Sequence, residues 1–128
     1  MPNVAMKHDI DPRDVILKNL GNVLDDFEIC ADEVLVATYR RPEKTASGFY
    51  LPRKTLEEDL FQSKCGLVVK IGTQCVFPNV KIALHDWIVM RPSDGWACEI
   101  LTAIEAVHCR MIQAKYIRAK VPHPELVW

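Results

Sequence analysis

Two short apolar runs, each closed by residues that break regular structure, limit the folds open to this chain. Asp32-Glu33-Val34-Leu35-Val36-Ala37-Thr38-Tyr39 is rich in β-branched and apolar residues and stops at Arg40-Arg41-Pro42. Cys65-Gly66-Leu67-Val68-Val69-Lys70-Ile71-Gly72 is equally short and is bounded by glycines. Both suit strands better than a helix of ten or more residues, and the second reads as a buried strand. A long connection joins them. Within it, Lys44-Thr45-Ala46-Ser47-Gly48-Phe49-Tyr50-Leu51-Pro52 sets three large apolar residues inside a polar loop.

Composition bounds the rest. The chain has 128 residues, 49% hydrophobic and 26% charged, enough for one core and too few for two. A formal net charge of -1 argues against a nucleic-acid footprint, since phosphate binding needs a clustered cationic surplus and the one basic cluster is the pair Arg40-Arg41. No run approaches the length of a membrane helix, and Lys7, His8, Asp9 and Asp11 stand where a signal peptide would be apolar. The expectation is a protein made in the cytoplasm.

Candidate chemistry is sparse. Five cysteines, Cys30, Cys65, Cys75, Cys98 and Cys109, form no CxxC and read as reduced core thiols rather than a disulfide framework. His8, His85, His108 and His123 are isolated from other potential ligands at helical spacing, so no metal is expected. His108 and Cys109 are neighbours on a strand and point to opposite faces, which makes them a poor catalytic pair. No nucleophile elbow, phosphate loop or dinucleotide fingerprint is present. A thiol activity at Cys98 near Trp96 would lack a base and an oxyanion device, so neither an enzyme nor a cofactor is expected.

Outside the strands, Asp11-Pro12-Arg13-Asp14 is a helix start followed by Val15, Ile16, Leu17 and Leu20, predicting a helix from about Pro12 to Leu20 stopped by Gly21. So short a helix must pack its apolar side on something, either one end of its own fold or a neighbouring protein. In the long connection, Thr55 and Glu58 have capping-box spacing and Leu56 and Leu60 are an i, i+4 pair, with Phe61 next, so part of it can form a helical turn or two. A connection this long in a compact domain is usually functional. Two readings of Phe49, Tyr50 and Leu51 stand: they fold back on the domain, or they dock on a partner.

The order of these features resembles the GroES co-chaperonins. A strand ending in basic residues is followed by Lys44-x-x-x-Gly48 with its hydrophobic tripeptide, then by Gly66-x-Val68-x-x-x-Gly72. His85-Asp86-Trp87-Ile88-Val89-Met90 resembles the family's G-D-x-V-x-F strand, and Ser93-Asp94-Gly95-Trp96 the turn after it. Glu105 to Ile112 resembles the penultimate strand and Tyr116 to Val121 the last. The resemblance implies an all-β, GroES-like small β-barrel of about seven strands over residues 27–121. Residues 1–26 are an N-terminal arm with a short helix, and residues 122–128 a C-terminal tail. It also implies a docking loop in which Gly48 turns the backbone while Phe49, Tyr50 and Leu51 insert into a chaperonin groove.

Departures from that pattern shape the functional expectation. Thr73 to Lys81 is short and partly apolar where the family has its roof hairpin, so a dome-closing roof is expected to be missing. Ring closure pairs the first strand of one subunit with the last of the next, and here an arm precedes the first and a tail ending Leu126-Val127-Trp128 follows the last. Trp128 either packs on its own barrel or anchors a partner. Extended segments suit a grip on a large assembly. The function expected first is therefore a non-enzymatic phage virion protein, a head decoration or cement subunit gripping capsid proteins through arm, loop and tail. The alternative is a phage co-chaperonin capping a GroEL-type chaperonin during capsid-protein folding. Either would be a homo-oligomer whose protein-binding residues are Gly48, Phe49, Tyr50, Leu51, Leu56, Leu60, Phe61 and Trp128, without nucleic-acid or membrane partners.

Overall fold

In a computed structural model, residues 10–40 and 63–127 are described. The first element is helix α1, Pro12–Leu20. Its start is local chemistry: the Asp11 carboxylate accepts from the Arg13 backbone N–H at 2.9 Å, and proline occupies the first turn. It ends at Gly21, whose N–H still donates to the Leu17 carbonyl at 3.0 Å and whose φ of 53° turns the chain out of the helix.

Six antiparallel strands follow: β1 Glu33–Thr38, β2 Cys65–Ile71, β3 Trp87–Val89, β4 Trp96–Leu101, β5 Ala106–Gln113 and β6 Ala119–Val121. They form one sheet in the order β4-β5-β1-β2-β3-β6. The architecture is the mostly β one expected, with six strands among the described residues rather than about seven. Residues 72–86 form no strand. Three of their apolar members turn inward instead, with Ile82 buried and Cys75 and Phe77 packed against the same core cluster. The sheet's order begins at β4 and ends at β6, which do not pair with each other.

β1 and β2 are apolar without alternation because both of their faces are covered. Leu35, Ala37 and Tyr39 join Leu67, Val69, Trp87 and Cys109 on one side, where Leu20 and Leu24 of the N-terminal segment complete the cluster. Val34 and Val36 join Val68, Ile88, Met90 and Ile112 on the other. A bulge keeps the two sets apart: Leu35 faces Lys70 while Val36 faces Val68, so Val69 is the extra residue. Without that extra residue the register beyond it would slip by one and turn each apolar side chain to the wrong face.

Two turns aim the short strands. The turn before β4 presses Gly95, at φ 69°, against β5, where an added Cβ would overlap the Met111 carbonyl and the Ile112 side chain. Buried Arg110 of β5 holds it by donating to the Asp94 carbonyl. The turn before β3 places the exposed His85 at φ 71°, in the left-handed region that glycine favours. It is held there because the His85 N–H donates to the Val68 carbonyl at 2.7 Å. The Asp86 carboxylate accepts from Ala83 N–H at 2.8 Å and pairs with Lys120 of β6 at 3.2 Å.

These turns predict opposite responses to mutation. His85→Gly should stabilise the fold by about 0.5–1 kcal/mol, because it relieves a disfavoured φ and removes no buried contact. Gly95→Ala should destabilise it by about 1–3 kcal/mol or more, since it adds both strain and overlap. Thermal and urea unfolding of the two variants measures both signs.

Candidate functional site

The long connection leaves the sheet through a stem made by the C-terminal end of β1 and the N-terminal end of β2. Tyr39 N–H donates to the Cys65 carbonyl at 3.0 Å, extending the β1–β2 ladder one step past the strand. The Tyr39 ring is 1% exposed and meets Trp87 edge-on, with centroids 5.9 Å apart and planes at 83°. On the other arm of the stem, the buried Ser63 hydroxyl donates to the Cys65 carbonyl at 3.2 Å. The Lys64 carbonyl accepts from Met90 N–H at 2.8 Å. The two exits of the loop are therefore side by side and fixed in the core.

The residues expected to bind a partner in this loop, Gly48, Phe49, Tyr50, Leu51, Leu56, Leu60 and Phe61, lie outside the described residues. So does Trp128. The described parts of the segments flanking the sheet, residues 10–26 and 122–127, pack on their own domain. Leu20 and Leu24 are buried in the first core cluster, with Ile16, Leu17 and Val23 packed on it. Asn19 of α1 donates to the Glu105 carboxylate at 2.6 Å. In the C-terminal segment, Pro124 is fully buried and Val127 packs on the same cluster, where its carbonyl lies 3.8 Å from the Cys65 thiol. Of the two readings given to the arm, cover for the chain's own fold is the one seen here.

Other apolar surface was not anticipated. Val76, Val80 and Leu84 are exposed on the segment that replaces the roof, beside a cavity of about 400 Å3 lined by Phe77, Pro78, Ile82 and Ile117. Trp96, Leu101 and Ile104 are exposed along edge strand β4 and its turn. Short runs such as Val76-Phe77 carried too little periodicity to separate core from surface.

The thiols are not activated as catalytic nucleophiles. Burial pushes the Cys98 thiol above its usual range, and burial followed by Glu125 pushes Cys65 up to about 11. A catalytic cysteine that is thiolate near neutral pH needs the reverse shift. His108 Nδ1 lies 2.8 Å from the Thr38 hydroxyl, and burial, then the nearby Arg110, lowers its pKa. Among the described residues, no three His, Cys, Asp or Glu side chains converge as a metal would require, and no helix is long and apolar enough to cross a membrane.

Compared with known families, residues 26–121 match Cpn10, the chaperonin 10 Kd subunit. No individual curated protein matches the chain. The matched segment contains all six strands, the stem and the connection it carries.

The stem makes a prediction of its own. Tyr39→Ala removes a fully buried ring and its contact with Trp87, and should cost about 3–5 kcal/mol in urea unfolding. A loss below about 1 kcal/mol would show that the loop exits are held by backbone pairing alone.

Proposed function

We propose that this chain, which belongs to the Cpn10 family of chaperonin 10 Kd subunits, acts as an oligomeric, non-enzymatic co-chaperonin that caps a GroEL-type chaperonin. The observation that carries this reading is the stem. A partner-binding loop needs exits held in register by the body of the protein, so that force and position at the loop reach the ring. Tyr39, Ser63 and the Cys65 carbonyl supply that attachment within the segment that matches the family.

The docking residues proposed are Phe49, Tyr50 and Leu51, with Gly48 giving the backbone freedom to enter the groove. An apolar side chain removed fully from water contributes about 1.5–3 kcal/mol, so three such anchors suffice for a specific but reversible grip. Leu56, Leu60 and Phe61 would support them from the same loop.

The reading in which the chain decorates a phage capsid needs arm, loop and tail to reach outward together. The described parts of arm and tail cover their own core, with Leu20, Leu24 and Val127 packed in one cluster, so the loop is left as the chief grip. That observation favours the co-chaperonin.

Light scattering on the purified chain, followed by co-sedimentation with GroEL and ADP, tests the proposal. A heptamer that sediments with the chaperonin supports it. A monomer, dimer or trimer that ignores the chaperonin overturns it and returns attention to the virion. Within the supporting outcome, Tyr50→Asp should weaken co-sedimentation by at least about tenfold while leaving unfolding unchanged, because one lost anchor of 1.4 kcal/mol or more is a factor of ten. Unaltered binding would remove the tripeptide from the site.

A further inference from the structure

We infer that Cys98 and Cys109 are a cross-strand dithiol that closes to an intramolecular disulfide when the folded protein meets a disulfide-class oxidant. This inference rests on the sheet alone and is independent of the chaperonin reading.

The two cysteines face each other directly in the β4–β5 ladder. That register has no bulge and runs unbroken from Trp96↔Met111 to Leu101↔Ala106. It is pinned by the turn between the strands. The Thr102 hydroxyl donates to the Glu105 carbonyl at 2.6 Å and accepts from the N–H groups of Ile104 and Glu105 at 3.1 and 3.0 Å. Thr102 N–H also donates to the Glu105 carbonyl, at 3.2 Å. With the turn held this tightly, β4 cannot slide to put another residue opposite Cys109.

Directly opposed residues of an antiparallel pair share a face, and both thiols belong to the first core cluster. Opposed Cα atoms lie about 4.5 or 5.5 Å apart, and both spacings fall within the roughly 4.4–6.8 Å that a disulfide spans. Burial first, then the neighbouring Cys98, pushes the Cys109 thiol up to about 12, a sign that the two sulfurs sense each other. Neither is joined in a disulfide here.

Their burial sets the order of events. Cys98 is half-buried and Cys109 fully buried, so an oxidant meets Cys98 first. With glutathione disulfide as oxidant, the Cys98 thiolate attacks one sulfur, its S–S bond breaks, and one glutathione leaves as thiolate. Cys109 then loses its proton and attacks the Cys98 sulfur of the mixed disulfide, expelling the second glutathione. The protein loses two electrons and two protons, and one glutathione disulfide becomes two glutathione thiols. The product ties edge strand β4 to β5.

The experiment treats the full chain, carrying Cys30→Ser to remove the exposed competing thiol, with glutathione disulfide under native conditions. Intact mass and a non-reducing digest are then read. Expected are a loss of two hydrogens, a peptide linking Cys98 to Cys109, and an unchanged far-UV circular dichroism spectrum. Cys98→Ser on the same background should show neither the link nor any modification of Cys109, and Cys109→Ser should retain one glutathione on Cys98. Because Cys109→Ser places a hydroxyl in the core and can fail to fold, the half-buried Cys98→Ser carries the control alone if it does. Glutathione that persists on Cys98 with Cys109 intact overturns the inference. So does a pair that stays reduced, a link to Cys65 or Cys75 instead, or a link formed only with loss of the native spectrum.

Discussion

The double-sided burial of β1 is the constraint on which the rest of this structure depends. β1 is paired with β5 on one edge and β2 on the other, and five of its six residues are buried. Its odd and even positions feed different core clusters, Leu35 and Ala37 to one side and Val34 and Val36 to the other. A strand in that position cannot shift without exchanging the two sets, so its register fixes its neighbours. The bulge at Leu35/Val36 is the adjustment that lets β2 serve both clusters at once.

Each cluster then needs a lid, and the segments outside the sheet supply it. Helix α1 and the turns after it bring Leu20 and Leu24 over the first cluster. Ile82 and Phe77 come from the stretch between β2 and β3 to close the second. A nine-residue helix is marginal alone in water, and each side chain of this size that it buries contributes about 1.5–3 kcal/mol. The helix is thus a product of the sheet beneath it, even though its caps are encoded locally.

That division explains what could be read from the sequence. α1 was legible to the residue because Asp11, Pro12 and Gly21 act within one turn of themselves. β1 and β2 were legible because burial on both faces leaves an unbroken apolar run. β3 and β6 have three residues each, too few for any period, and became visible through the family pattern around Asp86-Trp87 and at the last strand. The direction of the arm was not legible, since an apolar helix face has the same sequence whether it covers its own sheet or a neighbour's. The absence of a roof hairpin between Gly72 and Asp86 was legible because Thr73 to Lys81 is short and partly apolar, whereas the pairing of Cys98 with Cys109 was hidden because it depends on which strands lie alongside. Of the candidate site, the sequence shows the loop's apolar residues while the structure shows the stem, and Tyr39 was seen only as the last residue of a strand.

The stem also accounts for how a loop of this length can be carried by so small a sheet. Closing a flexible connection costs free energy that grows only with the logarithm of its length, about 0.6 kcal/mol for each doubling. The first few residues after Tyr39 therefore incur most of that cost, and it is met where the Tyr39–Cys65 hydrogen bond and the Tyr39–Trp87 contact hold the exits together. The described sheet rests on β1, β2 and the Tyr39 ring that meets Trp87 of β3 edge-on.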